Sequence, residues 1–565
     1  MQNSWPRIHL TDDEFPTAIA PEHGSDSGSA FIDARRLTRM LWALVLIGIA
    51  ARLARFFLCF PLWEDEAYLG TNFLTRDYLQ LVQGLDNTQV APLLYLWTVE
   101  TFVNWFGFTE YSLRLVAFLS SIACLLLFVV ATRRIYDGVP WLLSVGFFAV
   151  AYRAIRHTAE LKPYSSDAFC GLVLLTLLIY WISSERRNVW LWAMTLSIPV
   201  LVGFSFPLVF LAGAVSVGIA WELWRNRDRR GLLPWFALNV SLIGSFLLFF
   251  LLTTNNQIDT NLAGMDRHWA GAFPPIDRPW QVVPWLVDAI LGDMFPYPIG
   301  GVNGASSLTI LCIVVGACVL ARRKWSALPV VFLTALVLQF IASLMHRYPF
   351  GGSSRLMMHL APMACLLAGL GAARLIIWRL PKTGRLIGSW TVYTLVTLFL
   401  LIGSGSIVRD FAKPYKYHDM LNERAFARWF WYNQAYDAEL VCIYTDRESL
   451  GAPDQETNSD WAVYLCNQAL YSERHHRNEP PDLSRVTADH PLRCVHYTPA
   501  QRLIDAGGPR HPKKQAVGEW FDELKTRYRL VHRQVYRFTY HYPGHPTLYR
   551  TMEVFDFVPL ESADE

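Results

Sequence analysis

Long apolar runs separated by short polar connections fill the first 408 residues of the chain and then stop. The runs fall at 40–60, 111–131, 138–154, 165–182, 189–204, 207–223, 232–252, 304–320, 326–345, 356–378 and 386–408. Each approaches the ~20 residues that a helix needs to cross a hydrocarbon core, so the pattern predicts about eleven crossings. Two further stretches are apolar but too short or too polar to cross. Leu69, Phe73, Leu74, Tyr78, Leu81, Val82 and Leu85 recur at helical spacing, which predicts a helix over Leu69–Leu85 lying along the membrane surface. Leu93–Phe106 predicts a second surface helix, with Trp97 and Trp105 suited to the headgroup level. After Arg409 the pattern is that of a soluble fold. Glu439–Thr445 and Leu492–Tyr497 read as buried strands, Trp461–Tyr471 and Ala516–Lys525 as helices, and Tyr528–Tyr540 with Tyr549–Pro559 as a long β pair. The expected organisation is a disordered tail (1–36), an α-helical polytopic membrane module (37–408) and a C-terminal α/β domain (409–565).

Composition places the chain outside the soluble class: 53% of residues are hydrophobic and 17% charged, against about 25% charged in a soluble domain. The distribution of charge is more informative than its small net value. Arg35, Arg36 and Arg39 precede the first run, and Arg133-Arg134, Arg186-Arg187, Arg225–Arg230, Arg322–Lys324 and Arg379–Arg385 fall in every second connection after it. Basic short connections mark the cytoplasmic side. The amino terminus is therefore expected inside, and the outer face receives Glu64–Gly107, Arg153–Tyr164, Thr254–Gly304, His346–Arg355 and everything after Arg409. The first run is too long for a cleaved signal and carries Arg52 and Arg55 in its second half.

Candidate chemistry gathers on that outer face. The triplet Glu64-Asp65-Glu66 follows the first run directly, and carboxylates at a membrane edge are costly unless they are wet, paired or functional. The plainer reading is that Asp65 and Glu66 open a helix, where negative charge suits the dipole. The second outer loop, Arg153 to Asp167, holds Arg156, Glu160, Lys162 and Tyr164. Cations there run against the positive-inside trend, and phosphate binding accounts for the departure, with headgroup snorkelling as the alternative. Arg347 and Arg355 flank Gly351-Gly352 in the fifth outer loop, an arrangement that can cradle an anion or simply turn the chain. Asp266-Arg267-His268-Trp269 lies in a long Pro- and Trp-rich loop that reads as a lid or a partner-facing loop. No phosphate loop, dinucleotide motif or metal-ligand spacing is present in the C-terminal domain. Its three cysteines, Cys442, Cys466 and Cys494, permit one disulfide.

The stretches Trp63-Glu64-Asp65-Glu66-Ala67-Tyr68, Pro92-Leu93-Leu94-Tyr95, Glu110-Tyr111-Ser112-Leu113-Arg114-Leu115 and Glu160-Leu161-Lys162-Pro163-Tyr164 together resemble the amino-terminal half of the GT-C glycosyltransferases. The branch they resemble holds the protein O-mannosyltransferases and the bacterial transferase that adds aminoarabinose to lipid A. That family shows a basic residue and two prolines ahead of the Leu-Tyr motif, where this chain has Gln89 and Ala91-Pro92. The resemblance implies a GT-C-like fold in a bacterial plasma membrane, a polyprenyl-phosphate sugar as donor, and a lipid, glycan or protein hydroxyl as acceptor. It also implies Asp65 as general base, Glu66 shaping the site or positioning the acceptor, and Arg156, Lys162, Arg347 and Arg355 on the donor phosphate. Glu160 and Tyr164 would be substrate-binding. No cofactor is implied, with a divalent metal left open, and no nucleic-acid partner is expected. A transporter or lipid flippase is the competing class. It would bury its ionisable residues near the bilayer midplane and show paired repeats, whereas here they gather in outer loops.

Overall fold

The computed structural model describes residues 32–86, 89–259, 269–299, 304, 306–322, 325–378, 385–416, 418–433, 438–444, 466–467, 469–471, 483–498, 522, 524–540 and 548–560. The tail before Ile32 lies outside the described residues, as do Asp266, Arg267 and His268. Asp33 accepts from the amide of Arg35 and opens α1 (Ala34–Phe57). Three short helices follow: α2 (Glu64–Gly70), α3 (Asn72–Thr75) and α4 (Leu93–Phe106). Thr109 and Ser112 form a capping box that starts α5 (Glu110–Ile135). The chain continues through α6 (Gly138–Ala149), α7 (Tyr152–Arg156), α8 (Tyr164–Ser183), α9 (Arg187–Phe204), α10 (Leu208–Arg225), α11 (Leu232–Phe249) and α12 (Asn255–Asp259). Then come α13 (Pro279–Leu291), α14 (Ser307–Ala321), α15 (Ala327–Leu344), α16 (Ala361–Trp378), α17 (Arg385–Ala412) and α18 (His418–Asn433).

Among the described residues nine helices are long and apolar enough to cross a membrane, and a tenth crossing arises if α6 and Tyr152–Ala159, bent by 44°, form one span. The remaining expected run, 304–320, is α14, a shorter apolar helix of 15 residues. Its neighbours compensate for its length by packing closely. A Cβ on Gly371 of α16 would fall 1.8 Å from the carbonyl oxygen of Cys312, and one on Gly316 would fall 2.1 Å from that of Leu367. Only glycine lets the two backbones approach so far. The bundle's core runs through α1, α5, α6, α8, α10, α14, α15 and α16.

The expected surface helix over Leu69–Leu85 is not one helix. α2 and α3 are followed by Arg76 in an extended conformation and a single turn at Gln80–Val82. The Asp77 carboxylate accepts from the amides of Leu79 and Gln80 at 2.9 and 2.8 Å, a local competitor that interrupts helix growth. Arg76 then ties the loop together through Gly84 O at 2.6 Å and Asp86 at 2.7 Å. The apolar positions that recur at helical spacing instead fold inward. Leu69, Phe73, Leu81 and Leu85 are buried in a second core with Tyr95, Leu96, Val99 and Leu161. The other expected surface helix, Leu93–Phe106, is α4 to the residue. It packs on α5 and α9 and leaves Trp105 and Phe106 exposed.

Beyond α18 lies a four-stranded sheet of order β1-β2-β4-β3, with β1 (Glu439–Tyr444), β2 (Leu492–Thr498), β3 (Tyr528–Tyr540) and β4 (Leu548–Pro559). β1 and β2 are parallel, and β3 pairs antiparallel with β4 from Tyr528↔Pro559 to Tyr540↔Leu548, with a shift of register between Leu530 and His532. Cys466 is a free, buried thiol, and Cys494 of β2 is buried as well.

Candidate active site

Glu64, Asp65 and Glu66 occupy the first turn of α2, so the helix-opening reading is right about their place. The two that matter then diverge. Glu66 is 1% exposed and takes both Nε and Nη2 of Arg114 at 2.8 and 2.6 Å. It also accepts from the Leu161 amide at 2.7 Å, and Arg114 donates onward to Phe60 O and Pro61 O. This carboxylate joins the first outer loop to the second. Asp65 instead keeps 28% of its side chain exposed and meets Arg355 Nη1 at 3.3 Å.

The second outer loop is shaped by an arginine inside the membrane module. α6 stops at Ala149, and buried Arg52 of α1 donates to Ala149 O at 2.8 Å and Gly48 O at 2.9 Å, and through Nε to Ser121. It supplies donors to carbonyls that the helix end leaves unpaired, and the chain turns there into α7. Arg156 pairs with Glu160 at 3.0 Å, and His157 Nδ1 lies 2.8 Å from the same carboxylate. Burial alone would push the Glu160 carboxyl up, but His157, then Arg156 and Lys416, hold it well below the usual carboxylate range. Lys162 donates to Gln89 Oε1 at 2.5 Å. Thus the amide that stands where the resembled family has a basic residue is met by a lysine from the next loop. Burial lowers the Lys162 ammonium, and Asp65 works against that. Tyr164 packs its ring on His157 at 4.8 Å between centroids.

The fifth outer loop delivers Arg355. Gly351 and Gly352 both have φ of 72°, and a Cβ on Gly351 would fall 2.8 Å from that of Ala289 in α13. The turn therefore needs glycine on both counts. Beyond it Arg355 lies over the Trp269 ring at 4.6 Å and reaches Asp65. Arg347 is placed otherwise: it is exposed, and no hydrogen bond or ion pair among the described residues joins its side chain to this group. Nearby, Arg153 and Asp293 pair at 2.8 Å.

One cation here gave no sequence signal. Lys416 follows the last apolar run, in a stretch that reads as the start of a soluble domain, yet its ammonium rests on the Trp63 ring. Trp269 was visible only as part of a loop motif, and Arg114 only as part of a resemblance. A charged residue within an apolar run, as Arg114 is, does signal a buried partner, though not which one.

Asp65, Arg156, Lys162, Arg355 and Lys416 thus meet at one end of the bundle. That shared end sets a parity. Six apolar helices (α8 to α11, α14 and α15) separate Arg156 from Arg355, and α5 with the bent α6 segment separates Asp65 from Arg156. Counted with α14 and the bent pair as one pass each, both separations are even. An acid facing a hydroxyl can take its proton, and clustered fixed cations can stabilise a phosphate that leaves. Among the described residues no three His, Cys, Asp or Glu side chains are grouped so as to hold a metal ion.

No protein-family model and no curated protein matches the sequence. Among solved structures the chain is similar to ArnT from Cupriavidus metallidurans bound to undecaprenyl phosphate, at 12% identity and a TM-score of 0.49, over 90% of this chain and 97% of that one. It is also similar to the archaeal oligosaccharyltransferase AglB from Archaeoglobus fulgidus in complex with an inhibitory peptide and a dolichol-phosphate. There the identity is 12% and the TM-score 0.42, over 94% of this chain and 75% of that one. At these values neither likeness assigns this chain a substrate or a residue.

Proposed function

We propose that the chain is a membrane glycosyltransferase that moves a sugar from a polyprenyl-phosphate donor to an acceptor hydroxyl on the outer face of a bacterial plasma membrane, with inversion. The observation that carries this reading is the half-exposed Asp65 carboxylate 3.3 Å from Arg355, with Lys162 and Arg156 beside it. A phosphate that takes Arg355 frees the carboxylate it was holding. Asp65 then accepts the hydroxyl proton as the acceptor oxygen bonds to the anomeric carbon. The bond from that carbon to the phosphate oxygen breaks, and its electron pair stays on the phosphate. Lys162 and Arg355 face the charge that builds there, an interaction that strengthens in the transition state. Glu66, closed in by Arg114, shapes the site and touches no reactant. Glu160 orients Arg156 through their ion pair, and Tyr164 lines the same region; Arg347 serves the donor only if its exposed loop closes on it.

The test is a reconstituted assay with a labelled pool of polyprenyl-phosphate sugars and outer-face acceptors. The reading expects acceptor labelling matched one for one by free polyprenyl phosphate. A flippase would instead carry the sugar lipid across intact with no free polyprenyl phosphate, and that result would replace this reading.

A further inference from the structure

Polar side chains that the reaction above leaves unused converge where the outer ends of α4, α8, α9 and α10 meet the fifth outer loop. Asp167 lies in the first turn of α8, and Ser205 opens the three-residue break between α9 and α10. α4 lies against that break, since a Cβ on Gly203 would fall 2.5 Å from Leu94, and it brings in Tyr95. The Phe210 ring meets Tyr348 at 5.3 Å between centroids. Tyr95 and Tyr348 both have Asp167 and Tyr164 as electrostatic neighbours, and the Ser205 hydroxyl faces Asp167. Tyr164 joins this group to the reacting end, through Asp65 and Arg355.

Three of these side chains are buried without a protein partner. Tyr95 and Ser205 are 0% exposed and Asp167 is 4% exposed. Yet the Tyr95 hydroxyl, the Ser205 hydroxyl and one oxygen of Asp167 close no hydrogen bond among the described residues. Polar atoms buried in this state are costly and uncommon. The first-turn position of Asp167 suits the α8 dipole, but that accounts for neither hydroxyl. A ligand that supplies hydrogen bonds accounts for all three, and the lining decides its class. The one charged group among Tyr95, Asp167, Ser205 and Tyr348 is a carboxylate, which does not suit a phosphate, and the polar atoms do not suit a prenyl chain. A hydroxylated sugar ring, which both gives and takes hydrogen bonds, suits them.

We infer that Asp167, Ser205 and Tyr95 bind the hydroxyls of the donor's sugar and select a sugar without negative charge; this rests on the glycosyltransferase reading above. With the phosphate at Arg355 and Lys162 and the anomeric carbon beside Asp65, the ring extends past Tyr164 toward Asp167. An acidic sugar would set its carboxylate against that of Asp167, a repulsion that excludes it. A ring lacking the bonded hydroxyls is rejected too, because the buried groups are then left unpaired.

The experiment uses the purified full-length protein in detergent. It measures transfer from the labelled pool of polyprenyl-phosphate sugars, binding of undecaprenyl phosphate, which has no sugar, and stability to denaturant. Tyr95→Phe and Ser205→Ala each remove one hydroxyl, and each is expected to lower kcat/KM for transfer about three- to tenfold. Asp167→Leu is expected to lower it about 10- to 10²-fold, as loss of a bond to a charged group does. Undecaprenyl-phosphate binding should be unchanged in all three. The two hydroxyl variants should be at least as stable as the unaltered protein, because no protein partner is lost. The mass of the transferred sugar should show no carboxylate. Normal transfer by the folded Tyr95→Phe and Ser205→Ala proteins would overturn the inference. So would a parallel loss of stability and undecaprenyl-phosphate binding, the mark of a structural role, or transfer of a uronic acid. In each of these cases the glycosyltransferase reading stands. If the unaltered protein transfers no sugar from the pool, both fall.

Discussion

Asp65 and Glu66 are consecutive carboxylates on one helical turn, and each faces an arginine, yet the two ion pairs differ in kind. Glu66 and Arg114 are each about 2% exposed and joined by two hydrogen bonds, with backbone groups filling the remaining positions. Asp65 and Arg355 keep a fifth or more of their side chains exposed and make one longer contact. A buried pair of the first sort is costly to break and slow to exchange, because either partner alone would be an uncompensated charge. A half-exposed pair of the second sort can be opened by a ligand of matching charge. Neighbouring residues of one chemical type are thus sorted into scaffold and candidate reactant by what buries them.

The comparison can be broken from either side. Glu66→Gln or Arg114→Met leaves a buried charge unpaired and is expected to cost about 3–5 kcal/mol of stability, read as loss of folded protein in detergent and, with it, of all transfer. Stable accumulation of either variant would mean that this pair is not the scaffold. Arg355→Gln is expected to fold normally and to lower transfer about 10²- to 10³-fold, as removal of a donor to developing charge does elsewhere. Gly351→Ala should act in the same direction but less. It places a side chain at φ 72° against Ala289, so that Arg355 is displaced at a cost of about 1–2 kcal/mol. That variant should lose roughly tenfold in transfer while gel filtration stays normal.

A further effect concerns stability alone. Below about pH 7 both folded and unfolded Lys416 are charged, and the fold bears the full penalty of the buried ammonium. Between about 7 and the usual lysine value of 10.5 only the unfolded chain holds the proton, so the penalty declines as pH rises. Lys416→Met should therefore be more stable than the unaltered protein at low pH. The gap should close through that window in chemical denaturation.

Much of this fold was legible because membranes allow few solutions. Among the described residues nine of the eleven apolar runs are helices long enough to cross, one is a bent pair and one a shorter helix, and the long β3–β4 pair keeps the expected partners. Asp65, Lys162 and Arg355 stood out because charge on the outer face needs a reason. The misreading at Leu69–Leu85 has a physical cause. Apolar residues at helical spacing suit a folded loop as well as a helix when Arg76 and Asp77 offer competing local bonds. The partner of Glu66 and the arrival of Lys416 are tertiary facts. Arg114 lies 48 residues from its partner, and Lys416, just past the last apolar run, meets Trp63 just past the first, so no local spacing announces them.

The central claim is that Asp65, and not its neighbour, takes the acceptor's proton. Its most direct measurement is single-turnover transfer of labelled sugar by folded Asp65→Asn protein saturated with donor, a change that keeps size and most hydrogen bonding but removes basicity. The account predicts a fall of about 10²- to 10⁴-fold with lipid-phosphate binding largely retained. Near-normal transfer by that variant would contradict it and leave the acidic triplet as no more than the start of a helix.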